Sequence, residues 1–319
     1  MAEPIWKDYY VTLGTNDSYQ YAIWIDGVKV YEGLAHKRPG ADSVSIKVND
    51  VVADFLAVKY DEKFFKGGEA ECAIYLIGGL RDTELMRETF YNNWSYDDSF
   101  SPLVRGLSCP INSRVMVSTP IPYSCLNADE LEVEVEGSNA DIRYYYLNEK
   151  GKIGHYLVQD DFYNAPDELA FKDSLPEKHI RYNVVDSCAR YALYYLNAYG
   201  GIDILLIEGN HSEKDSLTRQ TMEVEYDNRS ISNRGRGDYA VELVKTLTLH
   251  TSWLSDDEAS RMHHLLNSPQ VFLFDIEKQQ MIPVLLKNTT TEYKTYKGNG
   301  GKLINYVIEV EYANKMIRR

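Results

Sequence analysis

Long apolar runs, paired cysteines and an excess of basic residues are all missing from this sequence of 319 residues. No stretch approaches the ~20 consecutive apolar residues that a membrane-spanning helix needs, so we expect no membrane insertion. The first residues, Met1–Lys7, lack the basic and apolar regions of a secretory signal, so we expect no export.

The cysteines are few and scattered. Cys72, Cys109, Cys125 and Cys188 share no Cys-x-x-Cys spacing of the kind found in zinc and redox sites. We therefore expect reduced thiols, with a Cys109–Cys125 bridge as the alternative, and we predict no metal and no cofactor.

Motifs of the common catalytic classes are also absent. The sequence has no Gly-x-Ser-x-Gly elbow, P-loop, dinucleotide fingerprint or His-Glu-x-x-His. His263 and His264 are neighbours on a predicted helix and point apart. The Asp97–Asp98 and Asp160–Asp161 pairs could reach the separation of glycosidase carboxylates only through tertiary structure, so they are a weak signal for such an enzyme. We therefore predict that the protein is not an enzyme.

The charge of the chain is strongly negative. Asp and Glu number 48 against 34 Lys and Arg, a formal net charge of −14. Because affinity for nucleic acid comes mainly from Lys and Arg on phosphates, we expect no sequence-specific DNA binding. An acidic wall would instead let DNA pass without adhering.

Tyrosine is the abundant aromatic residue. The chain has 26 tyrosines against nine phenylalanines and four tryptophans. Tyrosine suits surfaces that are half apolar and half wet, such as contacts between subunits, although strand propensity alone accounts for the excess equally well.

Alternating apolar and polar residues indicate a mainly β fold. The segment Tyr19–Tyr31 contains two alternating runs joined at Asp26–Gly27, a pair typical of a type I′ hairpin turn. Ile142–Leu147 and Ile153–Val158 predict a second hairpin, followed by a loop over Gln159–Lys178. Pro120 and Pro122 indicate an extended link that cannot join a central strand.

We place the main domain boundary at these prolines. The predicted domains are an N-terminal β domain over residues 1–122 and a C-terminal β domain over 123–319, with an inserted sub-domain over 126–186 as an option. We expect two or more β-sandwich or barrel-like domains. A long strand over Lys302–Tyr312 closes the chain.

One helix is predicted near the C-terminus, over about 255–267. Ser255–Glu258 has the sequence of a capping box, in which the Ser255 side chain accepts a hydrogen bond from the Glu258 backbone amide and the Glu258 side chain accepts one from the Ser255 backbone amide. Ala259, Met262 and Leu265 then recur at helical spacing, so we expect this helix to pack on a sheet.

Several segments carry a resemblance to a known family. They are Arg190–Gly201, Ile204–Gly209, Trp253–Ala259, Ser268–Leu273, Ile282–Val284, Tyr293–Tyr296 and, near the N-terminus, Val30–Ala35. These segments resemble structural proteins of phages and prophages of gut Bacteroidetes, including the crAss-like group. The predicted layout of strands plus one helix is similar to that of distal-tail and tail-hub proteins. The resemblance covers most of the chain, and its motifs are structural.

The resemblance implies a virion tail component that is made in the bacterial host cytoplasm. It would form a homo-oligomeric ring around the DNA channel and connect to other phage tail proteins. The alternative is a carbohydrate-binding or glycan-degrading tail component, and a component of a bacterial injection machine is a third possibility.

The expected surfaces follow from the strand patterns. Contacts between subunits would involve the closing strand, through Tyr306, Ile308, Val310 and Tyr312, and the polar loop Asn228–Asp238, through Arg229, Arg234 and Arg236. The acidic side chains of Leu131–Glu136, which are Glu132, Glu134 and Glu136, would face the channel. A glycan would contact Trp94, Tyr96 and Asp97 of the aromatic cluster in Tyr91–Asp98, unless that cluster only anchors a loop.

Overall fold

The computed structural model of the chain describes residues 2–5, 8–61, 64–78, 81–93, 113–116, 118–126, 131–137, 142–147, 153–158, 168–173, 180–223, 236–254, 256–287, 305–314 and 316–318. Strands dominate these residues and only two short helices occur among them, so the protein is mainly β, as the alternating pattern predicts.

The chain divides into two compact units. The first comprises Met1–Val185 and Leu196–Ile204, and the second comprises Asp186–Tyr195 and Leu205–Arg319. The boundary predicted at residue 122 falls within a strand of the first unit, and it stays a prediction.

Among the described residues, sixteen strands and helix α1 (Asn49–Ala53) lie wholly within the first unit. Its sheets have the orders β1-β9-β8-β3-β4, β10-β16-β15-β12-β13, β11-β14-β7-β6 and β2-β5. The strands are β1 (Ala2–Pro4), β2 (Tyr10–Gly14), β3 (Ser18–Ile25), β4 (Val28–His36), β5 (Val44–Lys47), β6 (Val58–Asp61), β7 (Phe64–Gly67), β8 (Glu69–Ile77), β9 (Thr83–Tyr91), β10 (Ser113–Val115), β11 (Ile121–Leu126), β12 (Leu131–Gly137), β13 (Ile142–Leu147), β14 (Ile153–Val158), β15 (Glu168–Asp173) and β16 (Ile180–Val184).

The predicted N-terminal hairpin is confirmed. β3 and β4 pair antiparallel, and the two residues between them, Asp26 and Gly27, have φ angles of 48° and 76°. Both values lie in the left-handed region that a type I′ turn requires, which explains why Asp-Gly occurs there.

The core of the first unit lies under this hairpin. Ile23, Ile74 and Phe90, from three strands of one sheet, pack in a single hydrophobic cluster with Val44 of β5 and Val52 of α1. Burial of these apolar side chains holds the β2-β5 pair and α1 against the five-stranded sheet.

Two predictions in the first unit are wrong. β13 and β14 do not form a hairpin, because β13 pairs with β12 whereas β14 pairs with β11 and β7. The predicted loop Gln159–Lys178 contains β15, which lies between β12 and β16. Pairing between distant segments decides both cases, and a local pattern does not encode it.

Pro122 lies in β11, at the edge of its sheet, where proline is tolerated.

The second unit is built on one strongly bent sheet. Its order is β18-β17-β21-β22-β23-β20-β19, with β24 also paired to β20. The elements are β17 (Tyr191–Leu196), β18 (Ile202–Ile207), β19 (His211–Glu223), β20 (Arg236–His250), α2 (Asp256–Leu266), β21 (Val271–Asp275), β22 (Gln280–Leu286), β23 (Val307–Tyr312) and β24 (Met316–Arg318). Of these strands, the last residue of β17 and the first half of β18 belong to the first unit.

Helix α2 shares the core of this sheet. Its residues Ala259, Met262 and Leu265 belong to one buried cluster with Leu193 of β17 and Leu273 of β21. The helix lies within the range 255–267 predicted for it, and the capping residue Ser255 lies outside the described residues.

Candidate assembly surface

A long two-stranded ribbon is the most exposed described part of the second unit. β19 and β20 pair antiparallel over the whole length of β19, and we call the two strands, His211–Glu223 and Arg236–His250, the β19–β20 arm. All thirteen residues of β19 are exposed on both faces of the ribbon. Such a strand contributes little apolar burial to the core of its unit.

The arm extends beyond the sheet that carries it. The inner part of β20 pairs with β23 over residues 246–250 and with β24 over 241–243. Among the described residues, Arg236–Ala240 pair only with β19. Leu217, Met222 and Tyr239 are about half exposed on this ribbon, which is uncommon for large apolar side chains in a strand.

Ion pairs bridge the two strands near the outer end of the arm. Arg219 Nη1 lies 2.7 Å from Asp238 Oδ2, and Arg236 Nη2 lies 3.0 Å from Glu223 Oε1. Both pairs are solvent-exposed, so each contributes little to stability but sets the charge pattern of the surface.

A polar cluster lies at the base of the arm. The Tyr191 hydroxyl donates to Glu213 Oε1 at 3.1 Å, although β17 and β19 are far apart in the sheet order, which shows how strongly the sheet bends. The His211 ring meets the Tyr191 ring edge-on at 5.0 Å, and the Arg190 guanidinium lies 5.3 Å from that ring on its face. Burial and the hydrogen bond to Glu213 raise the pKa of Tyr191, so the phenol stays protonated.

An ion pair continues this cluster. The Asp275 carboxylate is buried and lies 3.0 Å from Lys278 Nζ, and it also accepts the Lys278 backbone amide. The carboxylate, held by a hydrogen bond, raises the pKa of Lys278. These contacts fix the turn between β21 and β22, so we assign the cluster a structural role in holding the base of the arm.

The strand predicted to close the chain corresponds to β23, which lies inside the sheet and is followed by β24. β23 pairs with β20 on one side and β22 on the other, so both of its edges are occupied within the chain. Ile308 and Val310 are fully buried, and Tyr306 and Tyr312 pack partly buried against the same core. These four residues therefore have little or no surface to offer a neighbouring subunit in the folded chain, and their packing accounts for the apolar face of the strand.

The other predicted contact residues fall on the arm or outside the described residues. Arg236 is exposed and begins β20, whereas Arg229 and Arg234 lie outside the described residues. Trp94, Tyr96 and Asp97, predicted for glycan contact, also lie outside them.

The acidic residues predicted to face a channel lie on β12. This strand is flanked by β13 and β15, and Glu132, Glu134 and Glu136 alternate along it, opposite Tyr146, Tyr144 and Ile142 of β13. They therefore share one face of their sheet.

A buried serine–histidine pair lies in the first unit. His155 Nδ1 is 2.9 Å from Ser124 Oγ across the β11–β14 pair, and Ser124 Oγ accepts the Ile202 amide at 2.9 Å. His155 Nε2 is buried and makes no hydrogen bond with the described residues by distance and angle. Burial lowers the pKa of His155 to about 4, so the ring is neutral near pH 7. Both side chains are inaccessible to a substrate, so this is a structural pair.

Cys72 and Cys188 are free thiols, and burial raises the pKa of Cys72 to about 12. Across the described ranges, no group of three or more His, Cys, Asp or Glu side chains is arranged to hold a metal ion. Neither described helix has the length and apolar composition needed to cross a bilayer.

Sequence reasoning missed the inner half of β19. His211–Ser216 is polar on both faces and shows no apolar alternation, so the sequence pattern does not predict a strand there. The available signal was its pairing partner, the apolar run of β20, which is long enough to need a partner of equal length.

Comparison of the chain with protein-family models, with curated proteins and with solved structures gives no match.

Proposed function

We propose that the chain is a structural subunit of a bacteriophage virion, a tail hub or distal tail protein that forms a symmetric ring around the DNA channel. The observation that carries the proposal is the exposed β19–β20 arm, a ribbon that extends past its own sheet and keeps apolar side chains in solvent. A free subunit gains nothing from such a ribbon, whereas an assembly uses it to reach a neighbour.

The finer architecture is part of the same proposal. The five-stranded sheet with the β2-β5 pair on one face fits a β-sandwich-like domain, and the bent sheet around α2 fits a barrel-like one. The resemblance to tail proteins of Bacteroidetes phages, stated above for the sequence, agrees with this assignment.

Mass analysis of purified phage particles tests the proposal, together with negative-stain images of the purified chain. We expect the chain among the virion proteins and a ring of defined symmetry in the images. A chain that is missing from particles, stays monomeric at high concentration and turns over a small substrate would contradict the proposal.

The lining of the channel is tested separately. In this proposal Glu132, Glu134 and Glu136 face the channel and keep DNA from adhering, since like charges repel over about a Debye length. We expect particles with all three changed to Gln to eject DNA more slowly than the wild type. A matched variant with Asp17, Asp42 and Asp54 changed to Asn removes the same charge from three exposed positions elsewhere in the chain and should eject at the wild-type rate. Equal rates for both variants would rule out an acidic lining on β12.

The glycan-binding alternative stays a prediction, because its residues lie outside the described ones. A glycan array with the purified chain distinguishes it. Binding that is lost on changing Trp94 to Ala would favour host-surface recognition over a purely connecting role.

A further inference from the structure

The outer edge of β19 is a regular strand edge with no strand partner among the described residues. The irregularity in the arm lies in β20, where Tyr239 is the extra residue opposite Gln220 and Thr221, so it does not interrupt the outer edge of β19. β19 also contains no proline. Long regular edges of this kind are templates for pairing with another strand.

The side chains of β19 are complementary to those of a second copy of β19 that runs antiparallel to it. A two-fold axis normal to the sheet pairs two copies of a strand antiparallel and keeps each face on its own side. With all thirteen residues of both copies overlapping, Leu217 lies on the axis opposite Leu217 of the second copy. Asp215 then lies opposite Arg219 of the second copy, and His211 lies opposite Glu223.

Neighbouring registers lose this match. Moving the axis to Thr218 places Glu213 opposite Glu223 of the second copy, and like charges directly opposite each other destabilise a strand pair. Moving the axis to Ser216 places Leu217 opposite Asp215 and removes the leucine contact. Full overlap is therefore the register that the side chains favour.

The pairing inside each arm extends the match over four strands. Leu217 already lies opposite Leu243, so the axis would carry a row of four leucines, two from each copy. The next row runs from Lys245 through Asp215 to Arg219 of the second copy, with opposite charges side by side. Arg219 also pairs with Asp238 of its own chain, and a guanidinium has enough donors for both carboxylates.

We propose that two copies of the free chain pair along the outer edges of β19, antiparallel, across a two-fold axis at Leu217. The paired strands would be ~44 Å long and would share about a dozen backbone hydrogen bonds, a number typical of a specific interface. The inference goes beyond the proposed function, because a two-fold contact closes on two copies whereas a ring needs a head-to-tail contact.

Light scattering coupled to size exclusion tests the pairing with two charge variants and a matched control. L217K and L217E each place like charges opposite each other on the axis. T218K adds the same charge to the other face of β19, where it would lie opposite Ser216 of the second copy. Through repulsion and the lost leucine contact, we expect L217K to weaken pairing at least ~10-fold and T218K to change it by less than ~3-fold.

The mass of L217K should be half that of the wild type, whether the wild type is a dimer or two rings joined back to back. An equal mixture of L217K and L217E should recover the wild-type mass, because only a two-fold axis at this residue brings the two new charges together. Recovery also shows that both variants are folded. Unchanged mass in L217K, an equal loss in T218K, or no recovery in the mixture would overturn the pairing. A ring that remains in L217K would leave the proposed function intact.

Discussion

Acidification should destabilise the first unit through His155. The ring is almost fully buried and contacts Ser124, and the Gly67 backbone, which favours the protonated ring, offsets only part of the cost of burying its charge. Burial lowers the pKa of His155 to about 4, whereas an unfolded histidine has its ordinary value near 6.5. The unfolded chain therefore takes up a proton at a pH where the folded chain does not.

The sign and size follow from this difference. The folded pKa is lowered, so the neutral ring stabilises the fold fully above about pH 6.5, and this contribution is lost as the pH falls towards 4. At pH 5 the loss is about 2 kcal/mol, and below pH 4 it reaches about 3 kcal/mol.

Hydrogen exchange of the β11 and β14 amides at pH 7 and pH 5 measures this effect. Correction for the intrinsic exchange rates gives the free energy of opening at each pH. We expect the wild type to lose about 2 kcal/mol between the two values and the His155→Gln variant, although less stable at pH 7, to lose much less. His36 is exposed on β4, and His36→Gln is the matched control, which should behave as the wild type. An equal pH dependence in the wild type and the His155 variant would refute the reasoning.

Three further predictions concern the second unit. A Cβ on Gly209 would lie 2.3 Å from a backbone carbonyl of β20, so Gly209→Ala should cost about 1–3 kcal/mol in urea unfolding, whereas Gly237→Ala, with open space around it, should cost less than about 0.5 kcal/mol. Tyr191→Phe removes the hydrogen bond to Glu213 and should cost about 1 kcal/mol, and a loss below the error of the measurement would contradict that contact. Ile308→Ala leaves a cavity in the core and should cost about 2–5 kcal/mol, whereas a neutral effect would mean that the side chain is not buried.

Local features of the fold could be predicted from the sequence where a few neighbouring residues determine them. The Asp26–Gly27 turn follows from the positive φ angles that these two residues accept, and it fixes the register of β3 and β4. The alternation in Val44–Lys47 likewise identifies β5, whose Val44 and Ile46 are buried while Ser45 and Lys47 are exposed.

Pairing between distant segments could not be predicted in this way. β13 and β14 are adjacent in sequence and alternate as a hairpin does, yet they belong to different sheets. β15 is flanked by polar, turn-rich sequence, and it forms a strand because it pairs with β12 and β16. In each case the deciding interactions lie far away along the chain, so tertiary context overrides the local pattern.

The β19–β20 arm shows why the candidate surface was harder to predict than the core. A core strand is recognised in the sequence by apolar residues on one face, such as Ile308 and Val310. The same apolar pattern led to the prediction that these two residues contact a neighbouring subunit. A surface that must stay soluble before assembly needs the opposite composition, mostly polar residues with a few apolar ones near the centre. β19 has this composition, with Leu217 between Asp215 and Arg219. β19 is a strand because it pairs with β20, and its own sequence has no apolar alternation. The residues best suited to contact a partner are therefore the ones whose sequence pattern predicts structure least well.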